Sequence, residues 1–418
     1  MAASPGPSSY LGWWVGLVHA LLALSWTLYV LFLPGLVVSV GLPRTSVIWI
    51  LVLDQALFAV SDWGSAVFAD RIAGMWRRLG AGIAVASVVS ALLFAAMPWV
   101  AGPDGSVRLI AFIAGWAIVT SFLRAPVLSL LGRIGNATRQ GWAVGVTLGL
   151  VAMAGAAGPA LTEWLRQRDP FWPFAVASAG IALAGLVAVR ADAWPMPHRD
   201  TVLGDTRRGP IVLMAAVLLL AGLGFQWHTA LLAAASPMPW ARSLWVPLFW
   251  GGFALGLLIS MQLVASPFRM RGGALALWAG ALAAPIAVHT GIQVFFLAAQ
   301  LIAGAAWGMA LHTGLGVALA RSPAQRLASP VGLVFSALAV AALCRVLIVA
   351  LKLQTWPGWS VLPCVVWLIA GLGFWLHPWR STPGTQSGSS PAGLQRAEAL
   401  PVLQPSDQVA GRAEQRQT

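Results

Sequence analysis

Long apolar stretches separated by short polar segments dominate the pattern of the chain. A helix needs roughly 20 apolar residues to cross the hydrocarbon core of a bilayer. Twelve stretches reach that length, and their expected bounds are about 12–37, 47–68, 79–100, 108–130, 142–164, 171–190, 211–235, 244–265, 273–290, 292–319, 328–351 and 358–377. The pattern therefore predicts an all-α polytopic membrane protein with 12 transmembrane helices.

The composition supports this prediction. Of the 418 residues, 59% are hydrophobic and 9% are charged, and the mean hydropathy is +0.81. Soluble domains have roughly one quarter of their residues charged. So few charges cannot cover the surface of a chain of 43.9 kDa, which excludes a soluble enzyme, a disulfide scaffold and a disordered protein.

The spacing of the apolar stretches predicts two groups of six helices. The longest connection, residues 191–209, joins the sixth stretch to the seventh and carries several arginines and prolines. We expect an N-terminal six-helix bundle over 1–190 and a C-terminal six-helix bundle over 210–377. From 378 to 418 the composition changes to Ser, Gly, Pro and Gln, which predicts a disordered tail.

The net charge of +13 predicts membrane topology rather than nucleic-acid binding, because the basic residues are scattered between apolar stretches and form no patch. Thirteen basic residues fall in loops 2–3, 4–5, 6–7, 8–9 and 10–11, whereas six fall in the other loops. Cytoplasmic loops carry the excess of Lys and Arg. We therefore expect cytoplasmic N- and C-termini, a cytoplasmic central loop and tail, and insertion in a bacterial inner (plasma) membrane.

The segment after the second stretch contains a motif of glycines and charged residues, and its members are Gly64, Asp70, Arg71, Gly74, Arg77 and Arg78. It resembles the signature of the major facilitator superfamily between helices 2 and 3. The resemblance implies two six-helix bundles and transport by alternating access. Asp70 can accept bonds from Arg71, Arg77 or neighbouring helix ends and so form a breakable cytoplasmic gate. The alternative is a basic, positive-inside turn.

The fifth stretch is rich in glycine and contains Gly155, Gly158 and Pro159. This resembles the Gly-Pro motif that antiporters of the same superfamily carry in helix 5. Thr162 and Glu163 stand where a further glycine pair would be expected. Close helix packing without an exchange function is the alternative, since small residues allow helices to approach closely.

Polar and aromatic residues concentrate in stretches 1, 4, 7 and 10, which line the substrate cavity in the superfamily that the chain resembles. Stretches 3, 6 and 9 contain little beyond serines. The candidate cavity residues are His19, Trp26, Tyr29, Arg124, Gln226, His228, Gln300, Trp307 and His312. For His228 a place in the pore and an interhelical hydrogen bond are both open, and single tryptophans can serve as packing residues instead.

Four charged residues lie inside the apolar stretches, where charges are costly and usually functional. They are Asp54, Asp62, Arg124 and Arg345. Their depths match in two pairs, Asp62 with Arg124 and Asp54 with Arg345. A buried carboxylate paired with arginine can exchange that partner for a proton, which makes protons the expected coupling ion. A permanent ion pair that holds two helices together is the alternative.

The leading hypothesis is a secondary transporter that moves a small solute, without a cofactor or metal and without enzymatic activity, as a monomer in the lipid bilayer. The sequence contains no P-loop, so ATP-driven transport is not expected. An efflux antiporter for amphipathic compounds is the rival. From other classes we retain a receptor or assembly factor that does not transport, and a polytopic membrane enzyme. Cys344 and Cys364 lie in apolar stretches and lack metal-ligand spacing.

Overall fold

The computed structural model describes residues 7–76, 79–193, 209–235, 242–264, 268–322, 326–353 and 361–377. These residues form twelve α-helices. The helices are α1 (Pro7–Ser39), α2 (Ser46–Trp76), α3 (Leu79–Val100), α4 (Ser106–Ser129), α5 (Ala137–Leu165), α6 (Phe171–Leu186), α7 (Gly209–Ala235), α8 (Arg242–Gln262), α9 (Arg269–Thr290), α10 (Gln293–Ala320), α11 (Ala328–Ala350) and α12 (Leu362–Leu376). Short 3-10 turns follow α4 and α6, at Leu130–Arg133 and Val187–Ala193.

The structure confirms the all-α polytopic fold. Among the described residues, eleven helices are long and apolar enough to cross a membrane, and the shorter apolar helix Leu362–Leu376 occupies the place of the twelfth predicted span. The chain is a multi-pass integral membrane protein. The predicted tail 378–418 and the central connection from residue 194 to 208 lie outside the described residues.

The main departure from the predicted elements is the end of α2. We expected this helix to end near residue 68, but it continues to Trp76. The stretch Ala69-Asp70-Arg71-Ile72-Ala73 contains neither proline nor glycine, so the helix continues although hydropathy falls. Asp70, Arg71 and Gly74 are therefore helical residues and not members of a loop.

The first six helices pack on one another, as do the last six. Between the two sets, α2 and α4 pack against α11, and α5 packs against α8 and α10. We call these contacts together the seam. Exchanging each helix for the one six places away turns the contacts of α11 into those of α5, as expected for two related halves. We call the membrane face at which α1 begins the proximal face, and the opposite one the distal face.

Glycines allow α8 and α10 to approach at backbone distance. A Cβ atom on Gly252 of α8 would overlap the carbonyl oxygen of Leu301, and one on Gly304 of α10 would overlap that of Phe249. Without a hydrophobic driving force between helices in lipid, close packing of this kind supplies much of the association energy. Gly251 lies beside Gly252 and has nothing within 4 Å of its Cβ position.

We predict that Gly252→Ala lowers the free energy of unfolding by about 1–3 kcal/mol, the usual cost of overpacking. A backbone atom cannot rotate away as a side chain can, so the two helices would have to move apart and lose packing contacts. Thermal unfolding of the purified protein in detergent measures the effect. Gly251→Ala is the matched control and should be neutral or slightly stabilising, because alanine favours helices. Equal midpoints for the two variants would contradict this account of the contact.

Candidate functional site

An ion pair joins α2 to α4 inside the membrane. The Nη2 atom of Arg124 lies 3.2 Å from Oδ2 of Asp62. Asp62 is fully buried, whereas the Arg124 side chain is 21% exposed. The structure thus brings together the two residues that we paired by depth. The carboxylate oxygens make no hydrogen bond of good geometry with described residues, so the contact is mainly electrostatic.

The Arg124 guanidinium also lies between two aromatic rings. Its Cζ atom is 4.5 Å from the ring centre of Phe58 in α2 and 5.2 Å from that of Phe335 in α11. Cations are attracted to aromatic faces, and more strongly when water is excluded. Because α11 belongs to the last six helices, Arg124 contacts both sets of helices at the seam.

His19 of α1 borders the same group. Its ring stacks on Phe335 with centroids 6.1 Å apart. Its Nε2 atom lies 3.1 Å from the carbonyl oxygen of Arg124, and its Nδ1 atom 2.9 Å from that of Val15. A neutral imidazole can donate to only one of two carbonyl acceptors. A neutral His19 therefore donates to one of these carbonyl oxygens, and its other ring nitrogen lies beside the second.

Tyr29 and Asp54 form a separate buried pair between α1 and α2. The Tyr29 hydroxyl donates to Oδ2 of Asp54 at 2.6 Å, and both residues are fully buried. Trp26 packs beside them, with its ring 5.4 Å from Tyr29 and 5.7 Å from Phe58. This pair lies within the first six helices.

The structure gives Asp54 and Arg345 different partners, contrary to the pair that we expected from depth. Arg345 of α11 donates from Nη1 to Oε1 of Gln226 in α7 at 3.0 Å. No carboxylate of a described residue lies within salt-bridge distance of Arg345. Depth fixes the height of a side chain but not its direction around the helix, and α7 lies next to Arg345 where we expected α2.

Asp70 joins the end of α2 to the start of α11. Its Oδ1 accepts the Ala328 N–H at 2.8 Å, and its Oδ2 accepts the Ser329 N–H at 2.9 Å together with the Ser329 hydroxyl. The first N–H groups of a helix have no partner within the helix and carry partial positive charge. A carboxylate satisfies both needs, so Asp70 binds a helix end and connects the two sets.

The other members of the gate motif are placed differently. Gly64 has open space at its Cβ position, Arg71 is exposed and Gly74 lies in the last turn of α2. Arg77 and Arg78 lie outside the described residues. Of the motif residues that the structure describes, Asp70 thus makes hydrogen bonds to the other set of helices.

The candidate residues of α7 and α10 are largely buried. His228 stacks on Trp367 of α12 with centroids 5.5 Å apart, and Trp307 stacks on Phe225 at 5.1 Å. Gln300 is 2% exposed. In this conformation these three residues pack against neighbouring helices, and Gln226 is half-buried beside Arg345.

His312 of α10 forms a polar link between the sets. Its Nε2 atom lies 2.9 Å from the carbonyl oxygen of Gly141 in α5, and its Nδ1 atom 2.7 Å from the Ser260 hydroxyl in α8. A neutral ring that donates from Nε2 and accepts at Nδ1 satisfies both contacts. Gly141 lies near the proximal end of α5, so this link and the Asp70 contact are on the same side.

The glycines of α5 serve close contact with α8. A Cβ on Gly155 would overlap the Trp250 ring, and one on Gly145 would overlap the Met261 side chain. Gly158 is in ordinary contact range of Thr27, and Pro159 is inside the helix. These contacts are what the close-packing interpretation of the Gly-Pro motif expects.

Sequence reasoning missed Phe335, Ser329 and Ser336, all in α11. Ser336 accepts a hydrogen bond from the backbone N–H of Trp63 at 3.0 Å. None of the three residues stands out in an apolar stretch. The serine at the start of α11 was a detectable signal, because serine favours helix N-termini. Among the described residues, no group of three or more His, Cys, Asp or Glu could hold a metal ion.

Comparisons with known proteins found structural similarity only. No protein-family model and no curated protein matches the sequence. The structure is similar to that of the human organic anion transporter MFSD10 (TETRAN), with a TM-score of 0.70 and 13% identity over 89% of this chain and 99% of that one. It is also similar to the major facilitator superfamily proton:xylose symporter XylE bound to 6-bromo-6-deoxy-D-glucose, with a TM-score of 0.64 and 11% identity over 88% of this chain and 95% of that one. A third similar structure is the major facilitator superfamily transporter FucP in the outward conformation, with a TM-score of 0.61 and 13% identity over 88% of this chain and 98% of that one. At such identities the similarity concerns the fold.

We predict that Arg124→Gln destabilises the protein by about 3–5 kcal/mol, because it leaves the buried Asp62 carboxylate without its counter-charge. The double variant Asp62→Asn with Arg124→Gln should recover much of the loss. Thermal unfolding in detergent measures both. Arg166 and Glu163 have the same 3.2 Å separation but are exposed, so Arg166→Gln is the control and should have little effect. Additive effects at Asp62 and Arg124 would contradict coupling.

We also predict that Asp70→Ala opens the proximal face, because it removes the acceptor for the first N–H groups of α11. Spin labels on cysteines at the exposed positions Thr138 and Arg271, with Cys344 and Cys364 replaced by alanine, report the distance between the two sets. The variant should populate longer distances than its parent. Arg71→Ala is the control, since Arg71 is exposed. An unchanged distance distribution in Asp70→Ala would exclude a gating role for this contact.

Proposed function

We propose that this chain, which has the fold of the major facilitator superfamily, is a secondary transporter that moves a small solute by alternating access. The observation that carries the proposal is the placement of polar contacts across the seam. Asp70 at the start of α11 and His312 at Gly141 both lie toward the proximal face. Such hydrogen bonds can break and re-form, whereas a permanent seam would need only apolar packing.

Orientation follows from the distribution of basic residues, which places the proximal face in the cytoplasm. The proximal contacts then close the cytoplasmic side. The termini and the central connection are cytoplasmic on this proposal, and the membrane is the bacterial inner (plasma) membrane. One copy of the chain carries the whole translocation pathway between its two sets of helices, so a monomer is sufficient.

Proton coupling is proposed at Asp62. Its counter-charge, Arg124, contacts Phe335 in the other set of helices, so movement of α11 changes the surroundings of the pair. When the pair separates, an unpaired carboxylate in a low-dielectric site favours uptake of a proton. Asp54 is the second candidate, because it is buried and its described partner is the neutral Tyr29.

Three alternatives remain distinct from proton-coupled uptake. An antiporter that exports amphipathic compounds would use the same fold in the opposite direction, and the glycines of α5 are its supporting feature. A receptor or assembly factor would bind a solute without moving it. A polytopic enzyme would need clustered catalytic groups, and the candidate histidines His19, His228 and His312 lie in different contact groups.

We predict that proteoliposomes containing the protein exchange at least one solute from a panel of D-glucose, phenylacetate and tetraphenylphosphonium. Counterflow measures exchange without a proton gradient, and accumulation under an imposed gradient measures coupling. Asp62→Asn should abolish gradient-driven accumulation and retain counterflow, because the site then carries no titratable carboxylate. The double variant with Arg124→Gln repeats the test with a neutral pair.

Glu163→Gln is the control, because Glu163 is an exposed acid near the distal end of α5. It should leave both counterflow and accumulation unchanged. Full coupling in Asp62→Asn would exclude Asp62 and direct the same test to Asp54. Binding of panel members without any counterflow would favour the receptor alternative, and tetraphenylphosphonium export driven by inward proton flow would favour the antiporter.

A further inference from the structure

The two intramembrane arginines differ in whether their charge is neutralised. Arg124 has Asp62 at 3.2 Å and aromatic rings within 4.5 and 5.2 Å. Arg345 is exposed, and its described hydrogen bond goes to the uncharged Gln226. A guanidinium remains protonated at any physiological pH. Arg345 therefore keeps a full positive charge within a membrane-spanning helix.

The Gln226 amide fixes the orientation of both groups. Arginine has only N–H donors, so the atom of Gln226 that faces it must be the carbonyl oxygen. The amide NH₂ of Gln226 is then directed away from the arginine. Nη1 donates to Gln226 at 3.0 Å, which leaves further N–H groups of the guanidinium for a ligand. Guanidinium and amide together present donors and no acceptor, which suits an anion.

Helix geometry places Arg345 toward the centre of the protein and not toward lipid. A Cβ on Gly222 of α7 would contact Leu338 and Ala341 of α11. Arg345 and Gln226 each lie four residues farther along their own helix, so they continue the α7–α11 interface by one turn. At 3.6 residues per turn, Phe335, which contacts Arg124, lies about 80° from Arg345 around α11. The exposed side of Arg345 thus lies between α7 and the first six helices.

The surroundings of this pair are largely aromatic and aliphatic. Phe225 precedes Gln226 and stacks between Phe249 and Trp307, with centroids 5.2 and 5.1 Å away. Trp307 is also 3.9 Å from the Cβ position of Gly222. These rings are largely buried, but Val349, one turn beyond Arg345 in α11, is 44% exposed, so a ligand that reaches Arg345 meets donors for an anionic group beside an aliphatic side chain. Carboxylates match the guanidinium fork in two-point contacts.

We propose that Arg345 and Gln226 form an anion subsite, open to the distal side, which binds the carboxylate of an organic anion with an apolar body. The proposal rests on the proposed transport function, because it names the substrate class of the same pathway. It assigns to Arg345 the recognition of charge and to Gln226 the positioning of the guanidinium. Arg124 takes no part in it, since Asp62 already neutralises that residue.

The test compares each carboxylate with its neutral amide on the full-length purified protein. Phenylacetate and indole-3-acetate should raise the thermal unfolding midpoint, whereas phenylacetamide and indole-3-acetamide should raise it less or not at all. Arg345→Gln should weaken carboxylate binding at least about tenfold, as expected for loss of a charged hydrogen-bonded contact. Arg345→Lys keeps the charge without the fork and should bind with intermediate affinity. Arg108→Gln, at another exposed arginine near the distal end of a helix, should bind as the parent does.

Each other outcome overturns part of the proposal. Equal stabilisation by acids and amides, no stabilisation by either acid, or carboxylate preference retained in Arg345→Gln would contradict the subsite. Stabilisation by inorganic phosphate or sulfate that exceeds that by the carboxylates would assign the site to an inorganic anion. Arg345-dependent binding without counterflow would preserve the subsite and reject transport. Counterflow of D-glucose that is unchanged in Arg345→Gln, without carboxylate preference, would preserve transport and reject the subsite.

Discussion

The cost of a charge in lipid organises the centre of this protein. Arg124 can reside there because Asp62 neutralises it at 3.2 Å and because Phe58 and Phe335 cover its guanidinium. Removing the counter-charge leaves a buried ion without a partner, and removing a ring takes away an aromatic contact of the guanidinium. Because one of the covering rings belongs to α11, the surroundings of the ion pair inside the first six helices depend on where the last six are. A local ion pair thereby becomes sensitive to the arrangement of the two sets.

At the proximal face, hydrogen bonds to backbone atoms join the two sets of helices. Asp70 binds the unpaired N–H groups at the start of α11, and His312 binds a backbone carbonyl of α5. Both contacts pair a side chain of one set with backbone atoms of the other, and the Ser329 hydroxyl adds a side-chain donor to Asp70. Water can replace each of these partners when the face opens. Backbone-directed contacts are therefore suited to a gate, because they close firmly without a large cost on opening.

The sequence predicted the helices well because crossing a bilayer requires long apolar stretches, which composition alone reveals. It also identified the depth of the four intramembrane charges, and depth was sufficient to pair Asp62 with Arg124. Depth failed for Asp54 and Arg345, because each residue turns the helix by about 100° and hydropathy does not report that angle. The end of α2 was missed for a related reason, since a polar helical extension and a loop have the same hydropathy. The burial of Gln300 and His228 was missed for the same reason, because hydropathy does not report which side of a helix packs against its neighbours.

Arg124 has a counter-charge in Asp62, whereas the hydrogen-bond partner of Arg345 is the uncharged Gln226. This difference explains how a transporter without bound substrate is kept from changing conformation. On the proposed mechanism, closing the distal side removes water from Arg345, and Gln226 cannot neutralise the charge. That closure is costly without a ligand, because an unpaired ion loses its hydration. A bound carboxylate supplies the missing charge, so the occluded state becomes accessible chiefly when the site is occupied. A ligand shifts a conformational equilibrium only by its differential affinity for the two states, and neutralisation of Arg345 provides that difference. The charge of Arg345 would then both select the substrate and make the conformational change depend on bound substrate.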